Sequence, residues 1–411
     1  MRTSVGSFAS ICILVAVAAS CSSSGGDTTG SASLPPSEPG GPGDPSTPGG
    51  AGPAPAASSG GEGALPAYAP TFVGRFDTRD PAGPKASWPG TRILARFEGT
   101  AVSVKMREFA ETWMDGAPSY WEVSIDHGPF TALAMIADDQ PHDFALAQDL
   151  PKGAHEVELY KRSETQTGIT QFLGFDFHGG TSLPSPEHQK RKIEVMGDSF
   201  ATGFGVENID APGTDCPGAD WGGRWENFRK SWGALLGVEF DAEVHGIVYS
   251  GKGLLKNIWP TDDDPLRAYY PRADPDPEIA NSNPPLFDLK SWVPDVIVLT
   301  QGSCDFDGGV SFSDFRTAYR HFVIDVLRAR GPDTHIFMGV VGAGARGEVS
   351  EVAQEIIAER AAAGDHKMHA FLAKPYTWEE LTACNGHGTP AWHQRVAKEI
   401  AAEIRAKVGW Q

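Results

Sequence analysis

The 411-residue sequence has few basic residues. It contains 34 lysines and arginines against 53 aspartates and glutamates, which gives a formal net charge of −19. A chain this acidic is repelled by nucleic acid and by an anionic membrane surface, so we exclude both as electrostatic partners. The same balance is compatible with a neutral ligand. A long apolar run is also lacking, because the one near the N-terminus, residues 11–19, is too short to span a bilayer as a helix.

Cysteine is also scarce, and the five cysteines do not show the paired spacing of a zinc site. Cys384-x-x-His387 offers two ligands, but no second pair follows it. Residues 342–347 match the dinucleotide fingerprint, yet they follow the fourth candidate strand. The next acidic residue at a suitable distance, Asp365, precedes the following strand instead of ending it, so it does not suit a ribose contact. We therefore predict a turn at 342–347, no metal and no cofactor.

The first 21 residues have the pattern of a targeting segment, with Arg2 ahead of the apolar run. The segment from Ala18 to Cys21 resembles a bacterial lipobox in which Cys21 is the lipidated residue, although alanine stands at 18 where leucine is usual. The alternative is an ordinary secreted protein cleaved near Cys21. Either case predicts an extracytoplasmic protein, and the first predicts membrane attachment through the lipid alone.

The rest of the chain divides into three parts by composition and periodicity. Residues 22–66 are rich in Gly, Ser and Pro and contain too few large apolar side chains to form a core, so they predict a flexible tether. Residues 67–182 contain short segments of alternating apolar and polar residues separated by turn signals, which predicts an all-β sandwich.

Residues 188–411 alternate between apolar runs and helical patterns, which predicts an α/β domain with an open parallel sheet covered by helices. The candidate strands are 192–196, 243–249, 295–301, 335–341 and 367–372. The candidate helices are 228–237, 313–330, 348–363 and 391–407.

A serine and a histidine lie at opposite ends of this α/β region. Ser199 directly follows the first candidate strand in the sequence Gly197-Asp198-Ser199. A strand that ends in such a turn presents the hydroxyl at the carboxyl edge of the sheet, where a histidine can act as its general base. His387 precedes the last helix and is the candidate base. The alternative for Ser199 is a simple turn after a strand.

Four segments around these residues resemble the conserved blocks of SGNH/GDSL hydrolases, in the same order. They are 197–200, 250–253, 299–305 and 384–387. Further segments resemble carbohydrate esterase family 2, at 74–77, 88–91, 97–100, 155–157 and 160–164. The similarity extends over roughly residues 68–411. It departs from the family at Cys304, where asparagine is usual, and at Gly388, where proline is usual.

The resemblance implies a jelly-roll-like β-sandwich ahead of a flavodoxin-like hydrolase domain. It also implies a serine esterase that removes O-acetyl groups from a polysaccharide or oligosaccharide of the xylan or glucomannan class. Two alternatives stay open: a degenerate protein that binds carbohydrate with little or no turnover, and an esterase or lipase for another acyl substrate. We expect a monomer.

The same blocks suggest the groups that stabilise the oxyanion. The backbone N–H groups of Ser199 and Gly251 are the candidates, with Gly253 as the rival for the second position. Cys304 occupies the position of the asparagine donor, and its thiol is a weaker donor. Loss of one such donor costs on the order of 10²–10³ in turnover. The sequence around Cys304 suggests no base that would make it a nucleophile.

The histidine lacks the aspartate that often lies three residues before it, since that position is Cys384. Either the side-chain oxygen of Asn385 or a backbone carbonyl would then orient His387, which gives a Ser–His dyad. Three thiols remain after removal of the leader, and at least one of them is unpaired. We favour a disulfide between Cys216 and Cys384, which joins the loop after the nucleophile to the histidine loop.

Three tryptophans follow the nucleophile block. Trp221 and Trp225 either line the substrate cleft by stacking on sugar rings or pack in the core, and Trp232 is predicted to pack. His393, inside the last helix, is predicted to be a surface or packing residue.

Overall fold

In the computed structural model the described residues are 68–110, 118–208, 216, 223–258, 264–275, 284–342 and 346–411. The predictions for Cys21, for the tether at 22–66 and for Trp221 lie outside these ranges.

Two antiparallel sheets make up the described part of residues 68–183. Their strands are β1 (Thr71–Val73), β2 (Lys85–Ala86), β3 (Arg92–Gly99), β4 (Val102–Ala110), β5 (Tyr120–Ile125), β6 (Thr131–Ala134), β7 (Pro141–Ala147), β8 (Gly153–Lys161), β9 (Gly168–Asp176) and β10 (Thr181–Leu183). One sheet has the order β1-β3-β8-β5-β6, with β10 also paired to β3, and the other has the order β2-β9-β4-β7. The predicted β-sandwich is confirmed.

The sandwich core consists of the side chains that alternate toward one face of each strand. Phe97, Val104, Trp121 and Val157 are among the buried members, one from each of four strands. This period of two is the reason that the sequence could be assigned to strands, because each of these residues has polar neighbours on the opposite face.

A parallel sheet forms the centre of the second part. Its strands are β11 (Arg191–Gly197), β12 (Ala242–Val248), β13 (Val296–Leu299), β14 (His335–Val340) and β15 (Met368–Leu372). The order is β12-β11-β13-β14-β15, the flavodoxin-like arrangement. Both faces of a parallel sheet are covered, and accordingly β12 and β13 are buried along their whole length. The predicted α/β class is confirmed.

Helices connect and cover these strands. They are α1 (Ser199–Thr202), α2 (Trp232–Phe240), α3 (Leu266–Tyr269), α4 (Ser303–Asp307), α5 (Phe312–His321), α6 (Arg346–Ala362) and α7 (Pro390–Val408). Short 3-10 turns lie at Thr165–Thr167, Phe228–Lys230, Arg328–Arg330, Trp378–Leu381 and Cys384–Gly386, and a π-helical segment at Phe322–Leu327. The helix predicted at 228–237 begins later, at Trp232, because the side chain of Ser231 accepts the Ala234 N–H and caps it there.

A buried charge cluster connects the sandwich with the parallel sheet. Glu194 of β11 accepts hydrogen bonds from Arg75 (2.9 Å), Tyr270 (2.7 Å) and Arg330 (3.2 Å). A buried carboxylate is stable only when such partners satisfy it. The described residues all belong to one compact unit. Within them, every helix falls short of the length and apolar character that a membrane-spanning segment needs.

Candidate active site

Ser199 is the first residue of α1, directly after the end of β11. The preceding Asp198 caps this helix, since its carboxylate accepts the Phe200 N–H at 3.1 Å. A Cβ at Gly197 would lie 2.5 Å from Thr300 Oγ1 and 2.6 Å from Ala201 Cβ, so only glycine fits there. The turn therefore places Ser199, which is half-buried, at the carboxyl edge of the sheet.

Gly251 lies on the loop after β12, the strand next to β11. Its φ of 75° is in the left-handed region, which glycine adopts without strain. The Tyr249 N–H donates to the Gly197 carbonyl at 3.2 Å, so this loop is tied to the strand that carries the serine. Among the described residues no acceptor bonds the Gly251 N–H. The rival Gly253 differs, because its N–H donates to Asn257 Oδ1 at 3.3 Å.

Cys304, in α4, is buried beside the helix cap of the nucleophile. Its Sγ–H donates to Asp198 Oδ2 at 3.7 Å. Burial raises the pKa of Asp198 to about 6, although the Phe200 N–H and the Cys304 thiol favour its charged form. The thiol is therefore oriented by Asp198. Next to it, Asp305 accepts the N–H groups of residues 254–256 and holds the far side of the Gly251 loop.

His387 lies on the connection between β15 and α7, and its ring packs on the helix that begins with Ser199. The ring centroids of His387 and Phe200 are 5.2 Å apart, and those of His387 and Phe204 are 4.7 Å apart. Phe200 belongs to the nucleophile block and Phe204 follows it by four residues, so the first and last blocks of the α/β region meet here. Burial lowers the pKa of His387 to about 4, which keeps the imidazole neutral at pH 7.

The prediction that the Asn385 side chain orients His387 is wrong. The amide nitrogen of Asn385 donates to Cys216 Sγ at 3.8 Å instead. The left-handed backbone at Asn385, with φ 57°, accompanies this placement. Within the described ranges Nδ1 of His387 makes no hydrogen bond. The backbone of Asn385 and of Cys384 raises the pKa of His387 and partly offsets the effect of burial, and a backbone carbonyl as the orienting group stays a prediction.

Cys216 and Cys384 form a disulfide with a Cα–Cα distance of 4.9 Å. Phe204 and the disulfide make a small buried cluster, against which Trp225 packs. A Cβ at Gly205 would lie 2.7 Å from the Cys384 carbonyl, so glycine permits this close approach. The cluster therefore supports the histidine loop. Trp225, which is half-buried, lies beside the cluster.

Glycine also replaces the usual proline after the histidine for a steric reason. A Cβ at Gly388 would lie 2.2 Å from the Trp392 ring, so any larger residue is excluded unless Trp392 moves. His393 is a packing residue, since it is buried and its Nδ1 accepts the Trp232 N–H at 3.2 Å. Trp232 is fully buried, as predicted.

Sequence reasoning missed Trp378, which is 75% exposed. It lies on the same connection as His387, in a 3-10 turn that a capping box closes between Thr377 and Glu380. The Thr389 N–H donates to the Glu380 carbonyl at 2.9 Å, which folds this turn against the chain just after the histidine. No periodic pattern marks an exposed tryptophan, because its exposure is decided by the tertiary structure. Among the residues that the structure describes, no cluster of three His, Cys, Asp or Glu side chains could hold a metal ion.

Comparison with known proteins finds carbohydrate esterases among the proteins that this chain resembles. Residues 72–186 match the family described as Carbohydrate esterase 2 N-terminal. The chain is 30% identical over 346 residues to the cellulase/esterase CelE of Acetivibrio thermocellus, covering 82% of this chain and 39% of that protein. It therefore spans less than half of that relative. It is 26% identical over 345 residues to an acetylxylan esterase / glucomannan deacetylase of Cellvibrio japonicus, covering 82% of this chain and 88% of that one.

The solved structures lead to the same family. A family two carbohydrate esterase from Clostridium thermocellum, in complex with cellohexaose, superposes with a TM-score of 0.73 at 28% identity. The match covers 83% of this chain and 100% of that one.

Proposed function

The chain belongs to carbohydrate esterase family 2, and on that basis we propose that it is a serine esterase that removes O-acetyl groups from a polysaccharide. The observation that carries the proposal is the meeting of three groups at one sheet edge. They are Ser199 at the start of α1, neutral His387 packed on the same helix, and the Gly251 N–H without an acceptor in the described part of the chain.

The geometry supports a two-step mechanism. His387 takes the proton of the Ser199 hydroxyl as its oxygen attacks the acetyl carbonyl. The negative oxygen of the tetrahedral intermediate is bound by the N–H groups of Ser199 and Gly251. His387 then returns the proton to the leaving sugar hydroxyl, and an acetyl-serine remains. Water, deprotonated by His387, attacks this ester, and His387 passes the proton to the Ser199 oxygen as acetate is released.

A dyad without a carboxylate fits the environment of His387. The backbone of Asn385 and of Cys384 favours the protonated ring, and such neutral groups stabilise the imidazolium less than an aspartate does. The low pKa of His387 keeps the base ready at neutral pH but reduces its proton affinity. The only S–H of Cys304 donates to Asp198, so the thiol is not available as a donor to the oxyanion. We infer a slower esterase than one with an asparagine at that position.

For the substrate we propose acetylated xylan or glucomannan. The support is the name of the Cellvibrio relative and the cellohexaose bound to the Clostridium enzyme. Trp225 and Trp378 are the described aromatic side chains best suited to stack on sugars, because both lie on segments next to the histidine loop.

The test is acetate release from acetylated xylan and from acetylated glucomannan by the fragment that starts at Ala67. We expect release from at least one polysaccharide and hydrolysis of a simple aryl acetate. The Ser199→Ala variant should lose both activities and keep a native circular dichroism spectrum. Unchanged activity of this variant would refute the nucleophile. Carbohydrate binding without acetate release would support the degenerate protein, and aryl acetate hydrolysis alone would support another acyl substrate.

We also propose that Cys21 carries a lipid anchor and that residues 22–66 act as a tether to the cell envelope. The support is the lipobox-like sequence and the Gly/Ser/Pro-rich composition. The Cys21→Ala variant should move from the membrane fraction to the soluble fraction. Persistent membrane association would mean that another element holds the protein there.

A further inference from the structure

The loop that carries Gly251 is held by a carboxyl group from the β-sandwich part of the chain. Glu164 lies between β8 and β9 and is fully buried. Its Oε2 accepts the Ser250 N–H at 2.6 Å, and its Oε1 accepts the Ser250 hydroxyl at 2.5 Å. Both donors of the residue just before Gly251 are therefore bound by one side chain from a distant part of the sequence.

Glu164 is itself held rigidly. Its backbone N–H donates to Glu226 Oε2 at 2.8 Å, and Gln166 Nε2 donates to Glu164 Oε1 at 2.9 Å. Its backbone carbonyl accepts from Lys161 Nζ at 3.3 Å. The contacts with Glu226 and Lys161 fix the backbone of Glu164, and the contact with Gln166 fixes its side chain, so Glu164 can hold Ser250 in a fixed position.

Burial of two carboxyl groups in one place is costly, and this cost needs an explanation. Burial, and then the nearby Glu226, raise the pKa of Glu164 well above its ordinary value. A buried pair of this kind is destabilising unless it is fully hydrogen-bonded, and such groups are concentrated at functional sites. The direct bond from Glu164 to the residue before Gly251 supplies a functional reason.

We propose that Glu164 is a positioning residue, which places the Gly251 N–H for the oxyanion by binding both donors of Ser250. The inference rests on the proposed role of Gly251. Asp305 binds the other end of the same loop, at residues 254–256, so the loop is fixed from two sides. The oxyanion site of the α/β part would then depend on the β-sandwich for its geometry, in addition to any substrate contacts that the sandwich makes.

The chain contains a matched control. Glu108 is also fully buried in the sandwich and also binds one backbone N–H and one hydroxyl, from Ser119 (2.9 Å) and Thr170 (2.7 Å). In the described part of the chain, both of these hydrogen-bond partners of Glu108 lie within the sandwich. Removal of Glu108 should therefore cost stability as removal of Glu164 does, without an effect on the Gly251 loop.

The experiment compares Glu164→Ala, Glu164→Gln and Glu108→Ala with the wild type, with an aryl acetate as substrate and thermal unfolding as the stability measure. An oxyanion donor contributes only in the transition state, so its displacement lowers kcat and leaves KM unchanged. We expect Glu164→Ala to displace the Gly251 N–H by up to about 1 Å and to lower kcat by about 10- to 100-fold. Glu164→Gln should recover most of kcat, because its oxygen still accepts the Ser250 N–H. Glu108→Ala should lower Tm but leave kcat within about twofold at low temperature.

A second measurement reports on the oxyanion site directly. Phenylboronic acid forms a tetrahedral adduct with an active serine, so its inhibition constant should rise in Glu164→Ala by about the factor by which kcat/KM falls. If Glu164→Ala does not fold, Ser250→Ala removes the hydroxyl half of the contact, and Thr170→Ala removes the matching half from Glu108. Ser250→Ala should lower kcat severalfold, and Thr170→Ala should not.

Two results would overturn the inference: an unchanged kcat in folded Glu164→Ala, or equal losses of kcat in Glu164→Ala and Glu108→Ala. The Ser199→Ala variant separates this failure from a failure of the proposed function. If Ser199→Ala is inactive and Glu164→Ala is fully active, the esterase stands and only the positioning role falls. If Ser199→Ala stays active, the proposed function itself is refuted.

Discussion

Removal of the Cys216–Cys384 disulfide should destabilise the protein and slow its catalysis together. The perturbation is the double replacement Cys216→Ser and Cys384→Ser. The disulfide links residues 168 positions apart in the sequence. It also lies three residues before His387, in the cluster with Phe204 on which the imidazole packs. Stability and activity therefore depend on the same bond.

The stability effect follows from chain entropy. Closing a loop of 168 residues lowers the entropy of the unfolded chain by an amount equivalent to about 5 kcal/mol at 25 °C. Measured losses for native disulfides range from about 2 to 5 kcal/mol, so we expect the free energy of unfolding to fall within that range. Without the disulfide the loop still keeps the hydrogen bond from the Cys384 N–H to the Asn208 carbonyl, at 3.0 Å.

The activity effect follows from the position of His387. Without the disulfide the histidine loop is held mainly by the Asn208 contact and by the turn at Ala383, which pairs with His387 in an isolated bridge. A base displaced by about 1 Å loses about 10²-fold in rate, and a loop that samples the correct position part of the time loses less. We expect kcat for an aryl acetate to fall about tenfold, with a smaller change in KM.

The assay is urea unfolding followed by fluorescence and circular dichroism, with steady-state kinetics on the same preparations. Reductant should shift the wild type toward the double variant and leave the double variant itself unchanged, which controls for effects of the reagent. An unchanged unfolding midpoint in the double variant would refute the entropy argument. Lower stability with full activity would show that His387 is positioned without the disulfide.

The remaining predictions concern Cys304, His387 and Trp378. Cys304→Asn should raise kcat about tenfold, because an amide group has two N–H donors, one for Asp198 and one for the oxyanion. An unchanged kcat would mean that another group, such as Ser303, already donates to the oxyanion. The acid limb of kcat/KM should have its midpoint near the His387 pKa of about 4 and not near 6.5, since only the neutral ring accepts the proton. This pKa is lower in the folded than in the unfolded chain, so the neutral ring of His387 contributes to the free energy of unfolding above pH 6.5. That contribution is lost as the pH falls toward 4, and acid unfolding measures the loss. Trp378→Ala should raise KM for an acetylated polysaccharide about tenfold, since stacking buries about 60 Å² at about 25 cal/mol/Å². Its KM for an aryl acetate and its Tm should stay the same, and equal changes for both substrates would contradict a sugar contact.

Much of the fold was predictable because burial leaves a periodic record in the sequence. The alternation of residues 93–97 and 121–125 corresponds to β3 and β5, and the apolar run at 192–196 corresponds to β11. Helix ends were less predictable. The helix expected at 313–330 is α-helical only to His321 and continues as π and 3-10 turns, since such changes depend on packing more than on local preference.

By itself the sequence determined the fold class and the positions of Ser199 at the end of a strand and of His387 before a helix. Local sequence patterns are enough for this, because they show that the strand ends in Gly-Asp-Ser and that a helix starts after the histidine. Only the tertiary structure decided which groups surround them. The amide of Asn385 turns to Cys216, the thiol of Cys304 to Asp198, and Glu164 reaches Ser250 across 86 positions of the chain. Hydrogen bonds between distant segments carry no periodicity, so their partners are chosen only when the packed core brings those segments together.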